Sequence, residues 1–276
     1  MTSKTHPLIT LLASRGPVAV AFSGGVDSSL VAFAAYKALG QKAMAITGDS
    51  PSVPRRELEQ AQKVAQQIGI RHFILQTEEF QNPDYAKNDG GRCYFCKGEL
   101  YAQIHNAKAR FGFQTICSGA NLDDLGDFRP GLSAAKEAGI CHPLIEASMT
   151  KAKVRELALE WGLEIWDKPA SPCLSSRIAP NLLVTPERTL RVEKAEDLLH
   201  DLGYPVCRVR YLQGDIGRIE VPKNRLPELV NHFKRVSSFL LTLGFTQVEI
   251  DPEGFRSGNL NQLIPLNQKM RWTQTA

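Results

Sequence analysis

The feature that most constrains this 276-residue chain is a short glycine- and serine-rich run between a predicted strand and a predicted helix. Residues 17–22 (PVAVAF) are an apolar run of buried-strand length, and residues 28–40 (SSLVAFAAYKALG) read as a helix that ends at a glycine. Glycine lets backbone N–H groups approach an anion closely, and the positive end of the following helix adds attraction. The run therefore predicts a phosphate-binding loop, whose residues are Ser23, Gly24, Gly25, Val26, Asp27 and Ser28.

The rest of the first half alternates strands with helices. Further apolar runs at 42–47, 71–76 and 115–119 read as strands, and residues 54–69 have helical periodicity that Gly69 ends. Strands that alternate with helices predict a parallel, doubly wound α/β sheet with right-handed crossovers. Thr150 is the expected N-cap of an amphipathic helix over 150–163.

The last hundred residues have a different pattern. Two strands of alternating apolar and charged residues, 206–211 and 216–221, lie between helical runs, and a last strand is expected at 246–251. This pattern predicts a smaller C-terminal α+β domain. The expected organisation is an α/β domain over 1–165, an active-site linker loop over 166–181 and an α+β substrate-binding and oligomerisation domain over 182–276.

Composition excludes several classes of protein. The net charge of +4 is too small to indicate a nucleic-acid binder, and 43% hydrophobic with 22% charged residues is ordinary for a soluble globular chain. The N-terminus lacks a signal peptide, and no run approaches the roughly 18 apolar residues of a membrane span. We therefore expect a cytoplasmic protein with no membrane or nucleic-acid partner.

The loop sequence S-G-G-x-D-S after a first strand resembles the PP-loop of N-type ATP pyrophosphatases, which have the adenine nucleotide alpha hydrolase-like fold. The resemblance implies cleavage of ATP between its α- and β-phosphates, with pyrophosphate held in the loop. Asp49 follows the second strand at the carboxyl edge of the sheet, where nucleotides bind, although it also suits a helix cap. After the fourth strand, Gly119 is expected beside the nucleotide, and Asp124 is a candidate Mg²⁺ ligand or a helix cap. Arg129 is placed to reach an anionic group.

Six cysteines in a cytosolic chain of this length indicate metal or redox chemistry rather than a disulfide scaffold. Cys93 and Cys96 have C-x-x-C spacing, which grips one metal or one edge of a cluster. Cys173, in the run Ser-Pro-Cys-Leu-Ser-Ser-Arg, is a candidate third ligand. The remaining cysteines read as packed small hydrophobes: Cys117, Cys141 and Cys207.

Five runs together, spread over almost the whole chain, are similar to the LarE family: AFSGGVDSSL, DFRPGL, ASPCLSSR, RVR and GFRSG. LarE-type proteins are ATP-dependent sulfur transferases of nickel-pincer nucleotide biosynthesis. The resemblance implies that ATP and Mg²⁺ adenylate a carboxylate of pyridinium-3,5-biscarboxylic acid mononucleotide, after which sulfur replaces the AMP. It also implies a homo-oligomer, a hexamer in this family.

The resemblance also assigns roles to individual residues. Cys93, Cys96 and Cys173 match the three-cysteine members, which hold a [4Fe-4S] cluster whose fourth iron can bind hydrosulfide. Cys173, Lys97 and Glu196 are then catalytic residues. The substrate's phosphate and carboxylates are expected to bind Ser176, Arg177, Arg208, Arg210, Arg256 and Arg129.

Several alternatives stay open. Cys173 can be a sacrificial sulfur donor, with Cys93 and Cys96 as a redox pair or weak metal site, and zinc or no metal is a further possibility. A PP-loop tRNA thiolase shares the loop and three cysteines, but it predicts an RNA-binding module that is not apparent. An amide-forming relative would need a glutaminase, and a nucleotide-binding protein without turnover would release no pyrophosphate. The charged strand face of Arg208 and Arg210 can also be a solvated surface.

Overall fold

The computed structural model describes residues 6–126, 129–256, 265 and 268. The strands are β1 (Val18–Ala21), β2 (Ala43–Asp49), β3 (Arg71–Gln76), β4 (Thr115–Cys117), β5 (Arg208–Leu212), β6 (Ile216–Glu220) and β7 (Gln247–Ile250). The α-helices are α1 (Pro7–Ala13), α2 (Val26–Leu39), α3 (Arg55–Ile68), α4 (Pro83–Ala86), α5 (Arg92–Asn106), α6 (Lys108–Phe111), α7 (Pro130–Glu137), α8 (Pro143–Glu146), α9 (Lys151–Glu160), α10 (Pro186–Asp201) and α11 (Leu226–Thr242).

The chain divides into two compact units. Among the described residues, the first contains 6–78 and 93–171, and the second contains 79–92 and 172–256. Residues 79–92, part of the insertion between β3 and β4, thus belong to the second unit rather than to the first. The domain limits drawn from the sequence stay a prediction. Within the described ranges, no helix is long and apolar enough to cross a membrane.

The first unit is built on a fully parallel sheet in the order β3-β2-β1-β4. The predicted doubly wound α/β fold is therefore confirmed. The chain runs outward from β1 through β2 to β3 and then returns to place β4 on the other side of β1. The loops after β1 and β4 consequently meet at the switch point of the sheet, the usual place for a bound nucleotide.

Burial on both faces explains why β1, β2 and β4 are almost continuously apolar. In β1, Val18 and Val20 contribute to the core under α1, α2, α3 and α9. Ala19, between them, contributes to the core on the opposite face, with Tyr101 and Ile104 of α5. Adjacent side chains of a strand point to opposite faces, so both faces need apolar residues.

Two predicted helix boundaries are confirmed in detail. Gly69 ends α3 with a left-handed φ of 81°, a conformation that glycine adopts without steric cost. Thr150 caps α9 by accepting a hydrogen bond from the N–H of Lys153. The insertion between β3 and β4 contains a 15-residue helix, α5, that its polar and turn-rich sequence did not predict.

The second unit is the predicted smaller α+β domain. Its sheet has the order β5-β6-β7, with β5 antiparallel to β6 and β6 parallel to β7. Helices α10 and α11 bury one apolar stripe each, with Val192 and Leu199 from α10 and Val236 and Leu240 from α11 fully buried.

Candidate active site

The loop after β1 has the geometry of an anion cradle. Gly24 has a φ of 68°, and a Cβ there would lie 2.7 Å from the Cα of Ala61 in α3, so only glycine fits. Gly25 is the N-cap of α2, and its side-chain-free backbone leaves the first N–H groups of the helix without a side-chain cap. The hydroxyls of Ser23 and Ser28 lie 3.2 Å apart, and Ser28 also accepts from the N–H of Ser23 at 3.2 Å. The loop is therefore shaped before any phosphate binds.

The loop after β4 packs directly against the phosphate loop. A Cβ on Gly119 would lie 2.6 Å from the backbone nitrogen of Ser28, so this glycine permits the close approach. Asn121 donates from its side chain to Oδ1 of Asp27 at 3.1 Å. The structure thus brings together Gly119, Asp27 and Ser28, three residues that the sequence assigned to nucleotide binding.

Lys151 belongs to this group, and sequence reasoning missed it. It is the first residue of α9, and its Nζ pairs with Oδ2 of Asp27. Its backbone N–H donates to Oδ2 of Asp123 at 2.8 Å, which fixes the start of the helix. Lys151 is half-buried and places a positive charge beside the loop after β1. Because 124 residues separate Lys151 from Asp27, no local motif could have indicated the contact.

The two acidic candidates at the sheet edge both have protein partners. Asp49 pairs with Arg55 at 2.6 Å and accepts from Gln76 at 3.1 Å. Burial alone would raise the pKa of Asp49, but the hydrogen bonds from Arg55 and Gln76 and the charge of Arg55 lower it below its ordinary value. Asp124 accepts from the N–H of Asn121 at 3.0 Å and pairs with Arg129 at 2.9 Å.

Asp124 therefore acts as a local cap and ion-pair partner, and its Mg²⁺ role stays a prediction. Among the residues that the structure describes, no group of three or more His, Cys, Asp or Glu side chains is arranged to hold a metal ion. Asp127 and Phe128 of the DFRPGL run, and the last two residues of the GFRSG run, lie outside the described residues.

Cys93 and Cys96 lie in the first turns of α5, three residues apart, and so share one face of the helix. Cys93 is exposed and Cys96 half-buried, and neither forms a disulfide. Lys97 follows on the same helix, where α7 approaches closely: a Cβ on Gly131 would lie 3.0 Å from Cγ of Lys97 and 3.5 Å from the carbonyl oxygen of Cys93. The helix thus presents two thiols and an amine together.

Cys173, in the second unit, is a half-buried free thiol at the N-cap of a 3₁₀ turn, Leu174–Arg177. Its carbonyl oxygen accepts from the hydroxyl of Ser176 at 2.7 Å and from Nη1 of Arg177 at 2.9 Å. Arg177 also donates to the carbonyl oxygen of Pro172. The loop that carries the thiol is therefore held by its own neighbours.

Arg177 and Glu196 form a buried, bidentate ion pair. Nε and Nη2 of Arg177 donate to the two carboxylate oxygens of Glu196, each at 3.0 Å. Burial alone would lower the pKa of Arg177, but the adjacent Glu196 carboxylate raises it above its ordinary value. Glu196 also accepts from the N–H of Val209 in β5 at 3.0 Å. Both side chains fix the Cys173 loop on β5, and the roles in substrate binding and catalysis that the sequence assigned to them stay predictions.

The remaining arginines differ in their surroundings. Arg210 pairs with Glu220, which is fully buried, at 2.7 Å, and donates to the carbonyl oxygen of Ser176 at 3.3 Å. Arg208, two residues away on the same face of β5, stacks over Phe255 at 5.3 Å. Burial lowers the pKa of Arg208, and the positive charge of Arg177 adds to the effect. These buried cations exclude the interpretation of this strand face as a solvated surface.

Arg256 is more exposed, with its guanidinium 3.9 Å from Asp251. Its loop begins at Gly254, where a Cβ would lie 2.7 Å from the carbonyl oxygen of Val221.

Residues 79–92 are tied to the Cys173 loop by side-chain hydrogen bonds within the second unit. The side chain of Asn88 donates to the carbonyl oxygens of Ile178 and Ala179, at 3.2 and 2.9 Å. Arg92 donates to the carbonyl oxygen of Ser175 at 2.9 Å. Arg92 directly precedes Cys93 in the chain, and Ser175 is two residues after Cys173.

Two of the other cysteines are core residues, as predicted. Cys117 and Cys207 are fully buried. Burial raises the pKa of Cys117 to about 12 and also raises the pKa of Cys207. Both are protonated at neutral pH and poorly suited to bind a metal. Cys141 is half-buried.

Comparison with known proteins identifies relatives over the whole length of the chain. A family model described as asparagine synthase matches residues 10–87. The chain is 35% identical over 266 residues to the pyridinium-3,5-bisthiocarboxylic acid mononucleotide synthase of Lactiplantibacillus plantarum, with 96% of each chain covered. It is 43% identical to an uncharacterised protein of Synechocystis, with 96% of this chain and 99% of that protein covered. A tRNA-specific 2-thiouridylase of Fusobacterium nucleatum is 30% identical over 56% of this chain and 48% of its own length.

Proposed function

The chain belongs to the LarE family of PP-loop proteins and is an ATP-dependent sulfurtransferase, and from this premise we propose that it thiolates pyridinium-3,5-biscarboxylic acid mononucleotide. The observation that carries the proposal is the 35% identity to a pyridinium-3,5-bisthiocarboxylic acid mononucleotide synthase over 96% of both chains. The thiolated product named there requires exchange of carboxylate oxygen for sulfur, which is chemistry that an ATP pyrophosphatase makes possible.

The reaction begins with activation of the carboxylate. A carboxylate oxygen of the substrate attacks the α-phosphorus of ATP, the bond to the β-phosphate oxygen breaks, and pyrophosphate leaves. The N–H groups at the start of α2 and the hydroxyls of Ser23 and Ser28 receive the leaving pyrophosphate. Lys151 adds a positive charge as negative charge builds up on the leaving group. Mg²⁺ would accompany the ATP phosphates, with Asp124 as its proposed ligand.

Sulfur then replaces the adenylate. A sulfur nucleophile attacks the acyl carbon, the bond to the AMP oxygen breaks, and the thiocarboxylate and AMP are released. We assign Lys97 to stabilise charge that develops at this centre, since it lies one residue from Cys96 on an exposed helix face. Arg208, Arg210 and Arg256 are proposed to bind the substrate's phosphate and carboxylates.

We propose that Cys93, Cys96 and Cys173 hold a [4Fe-4S] cluster. Their donor chemistry fits: none of the three is in a disulfide and all are exposed or half-buried, whereas burial raises the pKa of the thiols of Cys117 and Cys207. When bound, such a cluster leaves one iron without a protein ligand, and that iron can bind the hydrosulfide used as nucleophile. The hydrogen bond from Arg92 to Ser175 supports the assignment, because it ties the residue before Cys93 to the loop of Cys173.

Iron content tests the cluster independently of activity. Protein purified without oxygen is expected to contain about four irons and four acid-labile sulfides per chain. Cys93→Ala, Cys96→Ala and Cys173→Ala should each lose them, whereas the matched control Cys141→Ser should keep them. If the wild-type protein contains no iron and Cys173 loses its sulfur during turnover, the result would contradict the cluster and favour the sacrificial mechanism.

Substrate identity is tested by ATP-dependent release of pyrophosphate. The pyridinium biscarboxylate mononucleotide should stimulate release, and unmodified tRNA should not. Stimulation by tRNA alone would instead favour the tRNA thiolase, whose similarity covers 56% of this chain. We also propose that the protein is a homo-oligomer, which size-exclusion chromatography tests. A cytoplasmic location is proposed because the reaction needs ATP and reduced thiols.

A further inference from the structure

Cys117 and Cys141, which the proposed reaction does not use, face each other at the edge of the parallel sheet. The N–H of Cys141 donates to the carbonyl oxygen of Ile116, and the N–H of Ser118 donates to the carbonyl oxygen of Cys141, both at 2.9 Å. These bonds make Cys117 and Cys141 direct partners of a parallel β-bridge. Neighbouring strands lie about 4.8 Å apart, which falls within the Cα separation of about 4.4–6.8 Å that a disulfide needs, and its Cβ separation of about 3.5–4.5 Å requires the two residues to move slightly closer together.

The two side chains also lie on the same face of the sheet. Cys117 belongs to the core cluster under α1 and α2, and Cys141 packs against that same cluster. Directly opposed residues of a parallel pair point to the same side, so the two thiols share one environment. No change of strand register is required to join them.

The two thiols differ in reactivity. Cys117 is fully buried, and burial together with the nearby Cys141 raises its pKa to about 12. Cys141 is half-buried, and Nη1 of Arg15 lies 3.8 Å from its sulfur. Cys141 is therefore the thiol that meets an oxidant first, and Cys117 is placed to resolve the product.

We propose that Cys117 and Cys141 are a redox modification site that forms a reversible disulfide with a hydroperoxide as oxidant. With hydrogen peroxide, the sulfur of Cys141 attacks one peroxide oxygen, the O–O bond breaks, and the departing hydroxide takes up the proton of the Cys141 thiol to form water. The sulfur of Cys117 then attacks the resulting sulfenic acid, a second water leaves with the proton of Cys117, and the S–S bond forms. Two thiols are oxidised and one hydroperoxide is reduced.

The site lies close to the phosphate loop. Ser118, which follows Cys117, is hydrogen-bonded to Nδ1 of His142, which follows Cys141, at 2.7 Å. Gly119 is the next residue and packs against Ser28. A disulfide at Cys117 would therefore form two residues from Gly119, whose contact with Ser28 shapes the proposed nucleotide site.

Peptide mapping tests the proposal without reference to activity. Full-length protein with Cys93, Cys96 and Cys173 changed to Ser is treated with hydrogen peroxide, alkylated and digested. We expect the loss of the mass of two hydrogens and a cross-linked peptide pair that joins positions 117 and 141, both reversed by dithiothreitol. The same mapping on wild-type protein, after alkylation of its exposed thiols, covers the case in which the triple variant does not fold.

Two further variants make the outcome decisive. Cys207→Ser, at a buried cysteine outside the bridge, should leave the cross-link unchanged. Cys141→Ser should abolish it and leave Cys117 a free thiol. Oxidation of Cys141 to the sulfinic acid with Cys117 unmodified, or a cross-link of either residue to Cys207, would overturn the proposal.

Discussion

Replacement of Glu196 by Gln tests how the second unit holds the Cys173 loop. Arg177 is 1% exposed and Glu196 5% exposed, and two hydrogen bonds of 3.0 Å join them. The amide is nearly isosteric but carries no charge, so it leaves a guanidinium buried without its counter-ion. Removal of one partner of a buried ion pair costs about 3–5 kcal/mol, and we expect a loss near 3 kcal/mol because the amide oxygen can still accept one bond.

The assay is urea unfolding of the full chain, with the free energy of unfolding compared between variants. Glu249→Gln is the matched control, because the pair of Glu249 with Arg218 at 2.6 Å is 34% and 41% exposed, and its loss should cost less than about 1 kcal/mol. The double change Arg177→Met with Glu196→Leu should cost less than Glu196→Gln alone, since no charge is then left buried. Equal losses for Glu196→Gln and Glu249→Gln would refute the reasoning.

Three further predictions concern the first unit. Lys151→Met should lower kcat about 100-fold, because it removes a positive charge beside the ATP phosphates. The control Lys153→Met, two residues along the same helix, should leave kcat unchanged. Steady-state release of pyrophosphate measures kcat for both variants. Gly119→Ala should destabilise the protein by about 2 kcal/mol and weaken ATP binding, because the added Cβ would lie 2.6 Å from the backbone nitrogen of Ser28. Thermal unfolding and ATP titration measure the two effects. The control Gly126→Ala should change neither, since nothing lies within 4 Å of a Cβ there. Burial lowers the pKa of His142, against the opposing effects of Glu146 and Asp124, so the unfolded chain binds the proton more readily. Stability should thus fall as the pH drops below about 6.5, and urea unfolding at pH 7 and 5 should show a smaller decline for His142→Asn.

Local patterns were enough to predict the sheet of the first unit. The strands that became β1, β2 and β4 are apolar because both of their faces are buried, and burial on both faces leaves a continuous signal in the sequence. The phosphate loop was predictable because its glycines, its strand and its helix are neighbours in the chain. Helix α5 was missed because its only buried apolar residues are Tyr101 and Ile104, in its second half.

Long-range charge pairing was not predictable from the sequence. An arginine that binds a ligand and an arginine that pairs with a buried carboxylate look the same in a sequence. Only the fold shows that Arg177 pairs with Glu196 and that Arg210 pairs with Glu220. Lys151 reaches Asp27 across 124 residues, and the tie between Arg92 and Ser175 spans 83. Such contacts depend on topology rather than on spacing.

Mass spectrometry of the product tests the central claim most directly. The protein, purified without oxygen, is incubated with ATP, Mg²⁺, sulfide and pyridinium-3,5-biscarboxylic acid mononucleotide. The account predicts a product in which sulfur has replaced a carboxylate oxygen, formed together with equal amounts of AMP and pyrophosphate. Release of AMP and pyrophosphate with no sulfur in the mononucleotide, under conditions in which the protein binds both substrates, would contradict it.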